Sequence, residues 1–390
     1  MAAVYRAALI GCGPRGTSIG RAYAGHPRTE LVGLCDLDAE RLRTLGDALG
    51  VAARFTSVEK MLDAVQPQIV VIPTGTEFHH ELAMRVLDHG AYHLDVEKPI
   101  CVDLEQADAV LRRAGERGVQ VAVHHQGRVS PAARAAVTAV ADGLIGQIVH
   151  VLARGKGYYG GYGIMNIGCH LLTGAQAFVG RCHRVTASLR TDGRPITPDD
   201  VVPSPNGMGT IAGERLSAEL EFVDGVNLTL IHDRMPAVSG GSMGVELLGT
   251  DGRVLIQHGA AWHVATPYPR PGEAPDDWSE IDNPLGGRGD TPELRHGMEL
   301  AFVEEYVRAL DAGDAHESSG EVGTHSLEMI MAAFESAAYG HPVELPQQRR
   351  DHPLERWRAE HGMGPPPTAP RPYPEWLAHE DRRLGRVRHG

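Results

Sequence analysis

Short apolar runs alternate with helical patterns through the first 125 residues of the chain. Five of these runs are candidate strands: AALI, LVGLC, IVVI, YHLDV and VQVAV. Two of the helical stretches between them end at Gly50 and Gly118, and glycine commonly follows the last turn of a helix. Buried strands that alternate with amphipathic helices predict repeated βαβ units. We therefore expect residues 1–125 to form a doubly wound parallel sheet of the Rossmann type.

The pattern changes after about residue 145, where segments with one polar and one apolar face follow each other. These segments are IVHVLARG, RVTASLR, RLSAELEF, VNLTLI, VELLG and RVLI. Turn sequences such as Asp224-Gly225 join them, which is typical of an antiparallel sheet with one face in water. Long stretches rich in Pro, Gly and Asp, at 191–209 and 265–292, are predicted to be loops that act as functional lids or flexible insertions.

Two helical patterns and a polar tail complete the chain. The helical patterns are ELRHGMELAFVEEYVRALDAG and EVGTHSLEMIMAAFESAAYG, and Ser318 and Glu321 have the spacing of a capping box at the start of the second. Residues 126–346 are therefore predicted to form an α+β domain with an open, largely antiparallel sheet. The tail, residues 347–390, is rich in Pro and Arg and poor in apolar residues. It is predicted to be either disordered or an arm that docks on the body or on a partner subunit.

Composition narrows the class of protein. With 390 residues, of which 42% are hydrophobic, the chain is long enough for two domains with separate cores. The net charge of −13 disfavours nucleic acid and anionic membrane surfaces as partners, and no apolar run has the length of a membrane span. Five cysteines without a C-x-x-C pair predict neither a disulfide framework nor a cysteine zinc site, which fits a cytoplasmic protein.

A glycine-rich loop follows the first predicted strand. In GCGPRG, Gly11, Gly13 and Gly16 match G-x-G-x-x-G between a strand and a helix, where the backbone turns tightly and approaches a pyrophosphate. The second strand ends at Asp36, twenty residues after Gly16, where an acid accepts hydrogen bonds from a ribose diol. Together they predict dinucleotide binding. A carboxylate at this position repels a 2′-phosphate, so NAD is favoured over NADP, although Arg15 and the nearby Arg41 could soften the preference.

The fourth predicted strand ends in PTGTEFHH and the fifth in DVEKP, so that Glu97 and Lys98 lie where ligands of open α/β sheets bind. With these residues the sequence resembles the glucose-fructose oxidoreductase / inositol dehydrogenase / rhizopine catabolism (Gfo/Idh/MocA) family of NAD(P)-dependent oxidoreductases, over about residues 5–346. Further motifs carry the resemblance: QGRVSP from residue 126, the NIGCH segment, GTDG from residue 249, and ESAAYGHPVELP near the end of the second domain.

The resemblance implies that Lys98 is the central catalytic residue and contacts both the nicotinamide ribose and the substrate hydroxyl. A cation there stabilises developing alkoxide character and can relay the proton. The motifs and the resemblance together imply one cofactor-binding set, which comprises Gly11, Gly13, Arg15, Gly16, Asp36, Thr74, His79, Glu97, Lys98 and Gln126. His124 and His125 are adjacent, so on a strand they point to opposite faces.

In GIMNIGCHLL, Asn166 and His170 are four residues apart, which places two side chains on one face of a helix. A histidine beside Leu171 is by itself more often a packing residue. The resemblance implies that His170 lines the substrate pocket with a partner, commonly Asp, four residues before it. Here that partner is Asn166. An amide is expected to hydrogen-bond His170 without adding charge, so the histidine's pKa should be lower than beside a carboxylate.

Upstream, GKGYYGGYG supplies Tyr158 and Tyr162, which suit hydrogen bonding to and stacking on a sugar-like ring, with ordinary loop packing as the alternative. The candidate catalytic residues are Lys98, His170 and Asn166, and the candidate substrate-binding residues are Lys98, Tyr158, Tyr162, Asn166 and His170. No cluster of His, Asp and Glu has convincing metal-ligand spacing, so no catalytic metal is predicted.

The sequence thus predicts an NAD-dependent oxidoreductase that acts on a secondary hydroxyl of a sugar, glycoside or cyclitol. Two alternatives stay open. One is a glycoside-cleaving enzyme that oxidises the ring transiently, eliminates and returns the hydride. The other is a catalytically silent NAD-binding regulator, since fold alone does not dictate function. The resemblance also implies a homodimer or homotetramer that covers the open sheet face.

Overall fold

The computed structural model describes residues 3–257, 259–272, 277–283 and 291–386. Its first part contains β1 (Tyr5–Ile10), α1 (Pro14–Gly25), β2 (Thr29–Cys35), α2 (Ala39–Leu49), β3 (Arg54–Phe55), α3 (Val58–Val65), β4 (Ile69–Ile72), α4 (His79–His89), β5 (His93–Val96), α5 (Leu104–Arg117) and β6 (Val121–Val123). The strands form a parallel sheet in the order β3-β2-β1-β4-β5-β6. The Rossmann prediction is confirmed.

The second part is a mixed, largely antiparallel sheet with helices on one side. Its elements are α6 (Pro131–Ala141), β7 (Ile148–Arg154), α7 (Gly160–Gly163), α8 (Cys169–Val179), β8 (Cys182–Thr191), β9 (Arg194–Pro195), β10 (Val202–Pro203), β11 (Thr210–Ile211), β12 (Arg215–Phe222), β13 (Asn227–Asp233), β14 (Gly244–Gly249), β15 (Arg253–Gln257), β16 (Ala260–Val264), β17 (Ser279–Glu280), α9 (Pro292–Ala312), α10 (Gly320–Tyr339) and β18 (Val343–Glu344). The main sheet has the order β17-β16-β15-β14-β7-β13-β12-β8-β18, with β9 paired to β8. Within it, β7 and β13 run parallel. The α+β prediction is confirmed.

Side-chain caps explain where several helices begin. The Asp103 side chain accepts from Gln106 N at the start of α5, and the left-handed Gly118 ends that helix, as predicted. The predicted start of α10 at Ser318 is wrong by one residue. Ser319 is the cap and accepts from Val322 N, whereas the Ser318 hydroxyl donates to Val123 O and is fully buried. Ser318 therefore ties α10 to the Rossmann sheet.

Helix α9 leaves the second sheet and returns to the Rossmann domain, where it packs on α1. Phe302 and Tyr306 are fully buried in the same core as Leu9 and Val71 of the parallel sheet. The Tyr306 hydroxyl also donates to Leu94 O, at 2.7 Å. A helix that is distant in sequence thus completes the core of the Rossmann domain.

The tail docks on the body as α11 (Pro353–Glu360) and α12 (Tyr373–Arg383). Of the two predicted alternatives, disorder is wrong for residues 347–386. Few of its residues are apolar, but Leu354, Trp357 and Trp376 join a buried apolar cluster that runs through both domains instead of forming a core of their own. Trp376 is 1% exposed, and its indole N–H donates to Pro203 O, at 2.8 Å.

The first long loop, 191–209, is ordered around one ion pair. The Arg194 guanidinium donates to the buried Asp200 carboxylate at 2.6 and 3.0 Å, and Asp200 also accepts from Thr197 N. The second, 265–292, lies partly outside the described residues. All five cysteines are buried free thiols. Each helix within the described ranges is too short or too polar to cross a lipid bilayer.

Candidate active site

The three glycines after β1 have different surroundings. Gly11 has φ +113°, and a Cβ there would lie 2.8 Å from Thr74 Cγ2. A Cβ on Gly16 would lie 1.9 Å from Gly11 O, which leaves no room for any side chain. A Cβ on Gly13 would meet nothing within 4 Å. Gly11 and Gly16 therefore shape the loop and pack α1 against it, and Gly13 leaves its backbone open for a phosphate at the N-terminus of α1.

The Asp36 carboxylate lies beside this loop. Cys12 N donates to Asp36 Oδ2 at 2.6 Å, and Asp38 N donates to Oδ1 at 2.8 Å. A carboxylate has about four acceptor directions, so two remain for a ribose diol. The end of β2 thus delivers an acid to the glycine loop, as the sequence spacing indicated.

In the predicted cofactor-binding set, three buried side-chain atoms have no hydrogen-bond partner among the described residues. They are Arg15 Nε, Thr74 Oγ1 and Gln126 Oε1. His79 is different. It is fully buried, and its ring nitrogens lie 2.9 Å from Pro99 O and 3.1 Å from Thr74 O, so that it links two loops. Because buried polar atoms are normally hydrogen-bonded, Thr74 and Gln126 fit a site that a bound cofactor completes. The residues present therefore fit a dinucleotide.

Lys98 reaches from the end of β5 to the second domain. Its Nζ donates to Asn166 O at 2.8 Å and to Asn166 Oδ1 at 2.7 Å. An ammonium group has three N–H donors, so one remains for a substrate oxygen. The Asn166 amide nitrogen donates to the Tyr162 hydroxyl, at 3.0 Å. Asn166 therefore orients Lys98 and is itself held by Tyr162.

This arrangement differs from the expectation that Asn166 hydrogen-bonds His170. Residues Ile164–Gly168 form a π-helical turn, in which Cys169 N donates to Ile164 O, five residues back. Both ends of the Asn166 amide are engaged elsewhere, because its oxygen accepts from Lys98 Nζ and its nitrogen donates to the Tyr162 hydroxyl. The spacing in the sequence does not record that Lys98, 68 positions earlier in the chain, takes the amide oxygen, and this long-range contact is the physical reason for the error.

The His170 ring has no hydrogen-bond partner among the described residues and lies edge-on to His125. The two ring centroids are 5.4 Å apart, at an interplanar angle of 87°. Burial lowers the pKa of His170 well below 6.5, and the positive charge of Lys98 lowers it further. Burial and the Lys98 charge lower the pKa of His125 in the same way. Two neutral imidazoles therefore lie beside a lysine, and sequence analysis had assigned no role to His125.

His170 and Gln126 line one cavity of about 320 Å³, which lies in the size range of small-ligand sites. Its other side chains include Arg128, Lys156, Ile167, Leu171, Phe178, Met243, Gln257, Arg295 and Met298. The lining combines apolar surface with cationic groups, and none of its described residues is a carboxylate.

Tyr158 and Tyr162 lie in an aromatic cluster rather than on that cavity. The Tyr162 ring is 3% exposed and stacks on Tyr373 of the tail, with centroids 5.2 Å apart at 21°. Tyr158 is edge-on to both rings. The rings of Tyr158 and Tyr162 pack against each other and against Tyr373, as in the alternative of loop packing. The Tyr162 hydroxyl also accepts a hydrogen bond from Asn166.

Two family models match the chain. The model described as "Oxidoreductase family, NAD-binding Rossmann fold" matches residues 5–125, and "Oxidoreductase family, C-terminal alpha/beta domain" matches residues 154–345. The chain belongs to the Gfo/Idh/MocA oxidoreductase family. The predicted family and the predicted class of enzyme, an oxidoreductase, are confirmed.

Several relatives of this Gfo/Idh/MocA protein are named for dehydrogenase activities on carbohydrates. A D-apiose dehydrogenase of Paraburkholderia graminis is 25% identical over 371 residues, 90% of this chain and 92% of the relative. A D-glucoside 3-dehydrogenase of Escherichia coli is 27% identical over 190 residues, 45% of this chain and 54% of the relative. The structure of levoglucosan dehydrogenase with NADH and levoglucosan has a TM-score of 0.71 at 17% identity, covering 88% of this chain and 100% of that one, which shows the shared fold.

Behind Lys98, this family member has a buried charged network. Arg15 donates to Glu97 at 2.9 Å and to Glu299 of α9 at 2.8 Å, and His124 lies between Asp95 at 2.9 Å and Glu299 at 2.5 Å. Burial alone would lower the pKa of His124, but the two carboxylates outweigh burial and raise it to about 10. His124 and His125 thus face opposite sides, as predicted. Glu299 had no sequence signal, because a glutamate in a helix usually faces water.

Described side chains form no group of three or more His, Cys, Asp and Glu that could hold a metal ion.

Proposed function

We propose that this protein is an NAD-dependent dehydrogenase that oxidises a secondary hydroxyl of a sugar, glycoside or cyclitol. The observation that carries the proposal is the pair of hydrogen bonds that Lys98 Nζ donates to two neutral oxygens of Asn166. The third N–H of the ammonium group is left to donate to a substrate oxygen. His170 follows the π-helical turn that contains Asn166 and lines a cavity large enough for a small ligand. The activities for which the relatives D-apiose dehydrogenase and D-glucoside 3-dehydrogenase are named support a carbohydrate substrate.

The site divides the proton work between two residues. When bound, the nicotinamide accepts the hydride. Lys98 donates an N–H to the substrate oxygen and stabilises negative charge that develops there. His170 has a pKa well below 6.5, because it is buried and next to Lys98, so it is neutral at pH 7 and able to accept the hydroxyl proton. Asn166 thus orients Lys98. His170 accepts the proton without a hydrogen bond from the Asn166 amide.

The preference for NAD over NADP has support in how the two nearby arginines are placed. Arg41 lies 3.3 Å from Asp38, and Arg15 donates to Glu97 and Glu299. Both cations that could soften the effect of Asp36 therefore already face carboxylates. A 2′-phosphate beside the Asp36 carboxylate would meet a like charge, which costs binding energy.

We also propose a homodimer or homotetramer that uses the outer face of the second sheet. The register places Leu152, Glu246, Leu255 and Trp262 in one row across β7, β14, β15 and β16, and all four are partly exposed. Light scattering at micromolar concentration tests this assembly, and a monomer there would contradict it.

The test of function is NADH formation with a panel of aldoses, methyl glycosides and inositols. A true substrate gives one NADH per molecule oxidised. A glycoside that is cleaved without net NADH would replace this proposal by the oxidation-elimination alternative. If calorimetry shows that NAD binds but no compound of the panel is oxidised or cleaved, the result favours a catalytically silent NAD-binding regulator.

A further inference from the structure

The C-terminal segment reaches the residues that hold Lys98. Tyr373, the first residue of α12, stacks on Tyr162 at 5.2 Å and meets the Tyr158 ring edge-on at 4.9 Å. The Tyr373 hydroxyl accepts from Tyr159 N, at 2.9 Å. The matches to the family models end at residue 345, so these contacts come from a segment beyond the two family domains.

The Tyr162 hydroxyl lies between two amides. It accepts from Asn166 Nδ2 at 3.0 Å and from Asn206 Nδ2 at 2.8 Å. The oxygen of the same Asn166 amide accepts from Lys98 Nζ, at 2.7 Å. Since the amide is planar, a hydroxyl that fixes its nitrogen also fixes the direction of its oxygen. The position of the Tyr162 ring therefore sets the side-chain contact between Asn166 and the lysine, while the second contact is made by the Asn166 backbone oxygen.

The segment before α12 ties this arrangement to the cofactor side. Asn206 N donates to Arg371 O at 3.0 Å, and the Arg371 guanidinium pairs with Glu77. Glu77 lies three residues after Thr74, on the loop that follows β4. At the other end, the buried Trp376 anchors the segment to Pro203. Residues 371–376 therefore extend from the loop after β4, which contains Thr74 and Glu77, to Tyr162, which orients the amide that holds Lys98.

We propose that residues 371–376 form a strap alongside the residues that hold Lys98 and that Tyr373 is a positioning residue for Lys98. Tyr373 acts through the Tyr162 ring and the Asn166 amide. The proposal rests on the proposed function, because that function defines the task of Lys98. Loss of the Tyr373 ring leaves Tyr162 free to move, so the Asn166 oxygen and Lys98 spend less time in the aligned state, while the glycine loop and Asp36 keep their geometry.

The test compares Tyr373→Ala with Tyr373→Phe in the full-length protein, with NAD and a sugar that the wild type oxidises. Tyr373→Ala should lower kcat about tenfold or more, as expected for a weakened hydrogen bond to a charged group. The KM for NAD should stay within about twofold of wild type, as it does when the interaction lost is made only in the transition state. Tyr373→Phe keeps the stacked ring and should restore most of kcat. The control is Arg382→Ala, an exposed residue on the same helix, which should match wild type.

Three outcomes would overturn the proposal. The first is wild-type kcat in Tyr373→Ala. The second is a fall in kcat that is no larger than the fall in the fraction of protein that binds NAD, as counted by calorimetry. The Tyr373 ring would then only stabilise the fold. The third applies if Tyr373→Ala does not fold. Tyr162→Phe then replaces it, because it keeps the stack and deletes the hydroxyl between the two asparagines, and wild-type turnover in that variant contradicts the strap.

Failure of the proposed function gives a different result. If the wild type oxidises no sugar, hydrogen exchange with NAD bound replaces turnover as the readout. Amides of residues 162–170 should then exchange faster in Tyr373→Ala than in wild type or Arg382→Ala. Equal exchange in all three proteins would overturn the strap independently of any substrate.

Discussion

Replacing Gly13 by alanine should weaken NAD binding without destabilising the protein, whereas the same change at Gly16 should destabilise the fold. Gly13 has φ −70° and ψ −171°, which any L-residue adopts, and its Cβ would find open space. The folded protein should therefore be unchanged or more stable by up to about 1 kcal/mol, because alanine restricts the unfolded chain. The new methyl would occupy the space through which a phosphate approaches the loop.

The expected loss of NAD affinity follows from that blocked approach. A charge-assisted hydrogen bond contributes about 1.5–3 kcal/mol, so losing one to the pyrophosphate predicts roughly ten- to over a hundred-fold weaker binding. At Gly16, the Cβ would lie 1.9 Å from a backbone oxygen, although real Cβ contacts are essentially never under 3.0 Å. The loop must then move by about 1 Å, and overpacking of this kind costs about 1–3 kcal/mol.

Calorimetry with NAD and urea denaturation measure the two effects separately. Gly115→Ala is the matched control, because Gly115 is an exposed helix position with nothing near its Cβ. It should bind NAD as wild type does and gain about 1 kcal/mol from helix propensity. Wild-type NAD affinity in Gly13→Ala would refute the assignment of the open side of the loop to the pyrophosphate. Wild-type stability in Gly16→Ala would refute the packing argument.

The remaining predictions concern charge. Lys98→Ala should lower turnover about 10²- to 10⁴-fold while NAD affinity by calorimetry changes little. The acidic limb of kcat/KM should lie below pH 6.5, because burial and Lys98 lower the pKa of His170, and it should be absent in any residual activity of His170→Ala. The pKa of His124 is raised to about 10. The protonated imidazole therefore contributes its full share to the free energy of unfolding below pH 6.5, and that contribution is lost as the pH rises towards 10. Urea denaturation should show wild-type stability falling by about 1 kcal/mol per pH unit across that window relative to His124→Gln, and parallel profiles would contradict the charged form. Asp36→Ser should narrow the NAD preference, and tighter binding of NADP than NAD by the wild type would contradict the role given to Asp36.

Local sequence patterns were sufficient for features that depend on neighbouring residues. The apolar runs predicted five strands of the parallel sheet, and the glycines predicted helix ends, because burial period and backbone conformation are recorded within a few residues. The glycine loop and Asp36 could be placed together for a related reason. Parallel strands end at one edge of a sheet, so residues after β1 and β2 must meet there.

Tertiary structure decided which distant residues complete the site. Glu299 meets Arg15 across 284 positions of sequence, and Tyr373 stacks on Tyr162 from a tail that composition described as polar. These contacts depend on how α9 and α12 pack against other elements, and no local period records that packing. The partner of Asn166 was misassigned for the same reason. The Asn166 amide oxygen accepts from Lys98, which lies 68 positions away in the chain, and no local pattern records that contact.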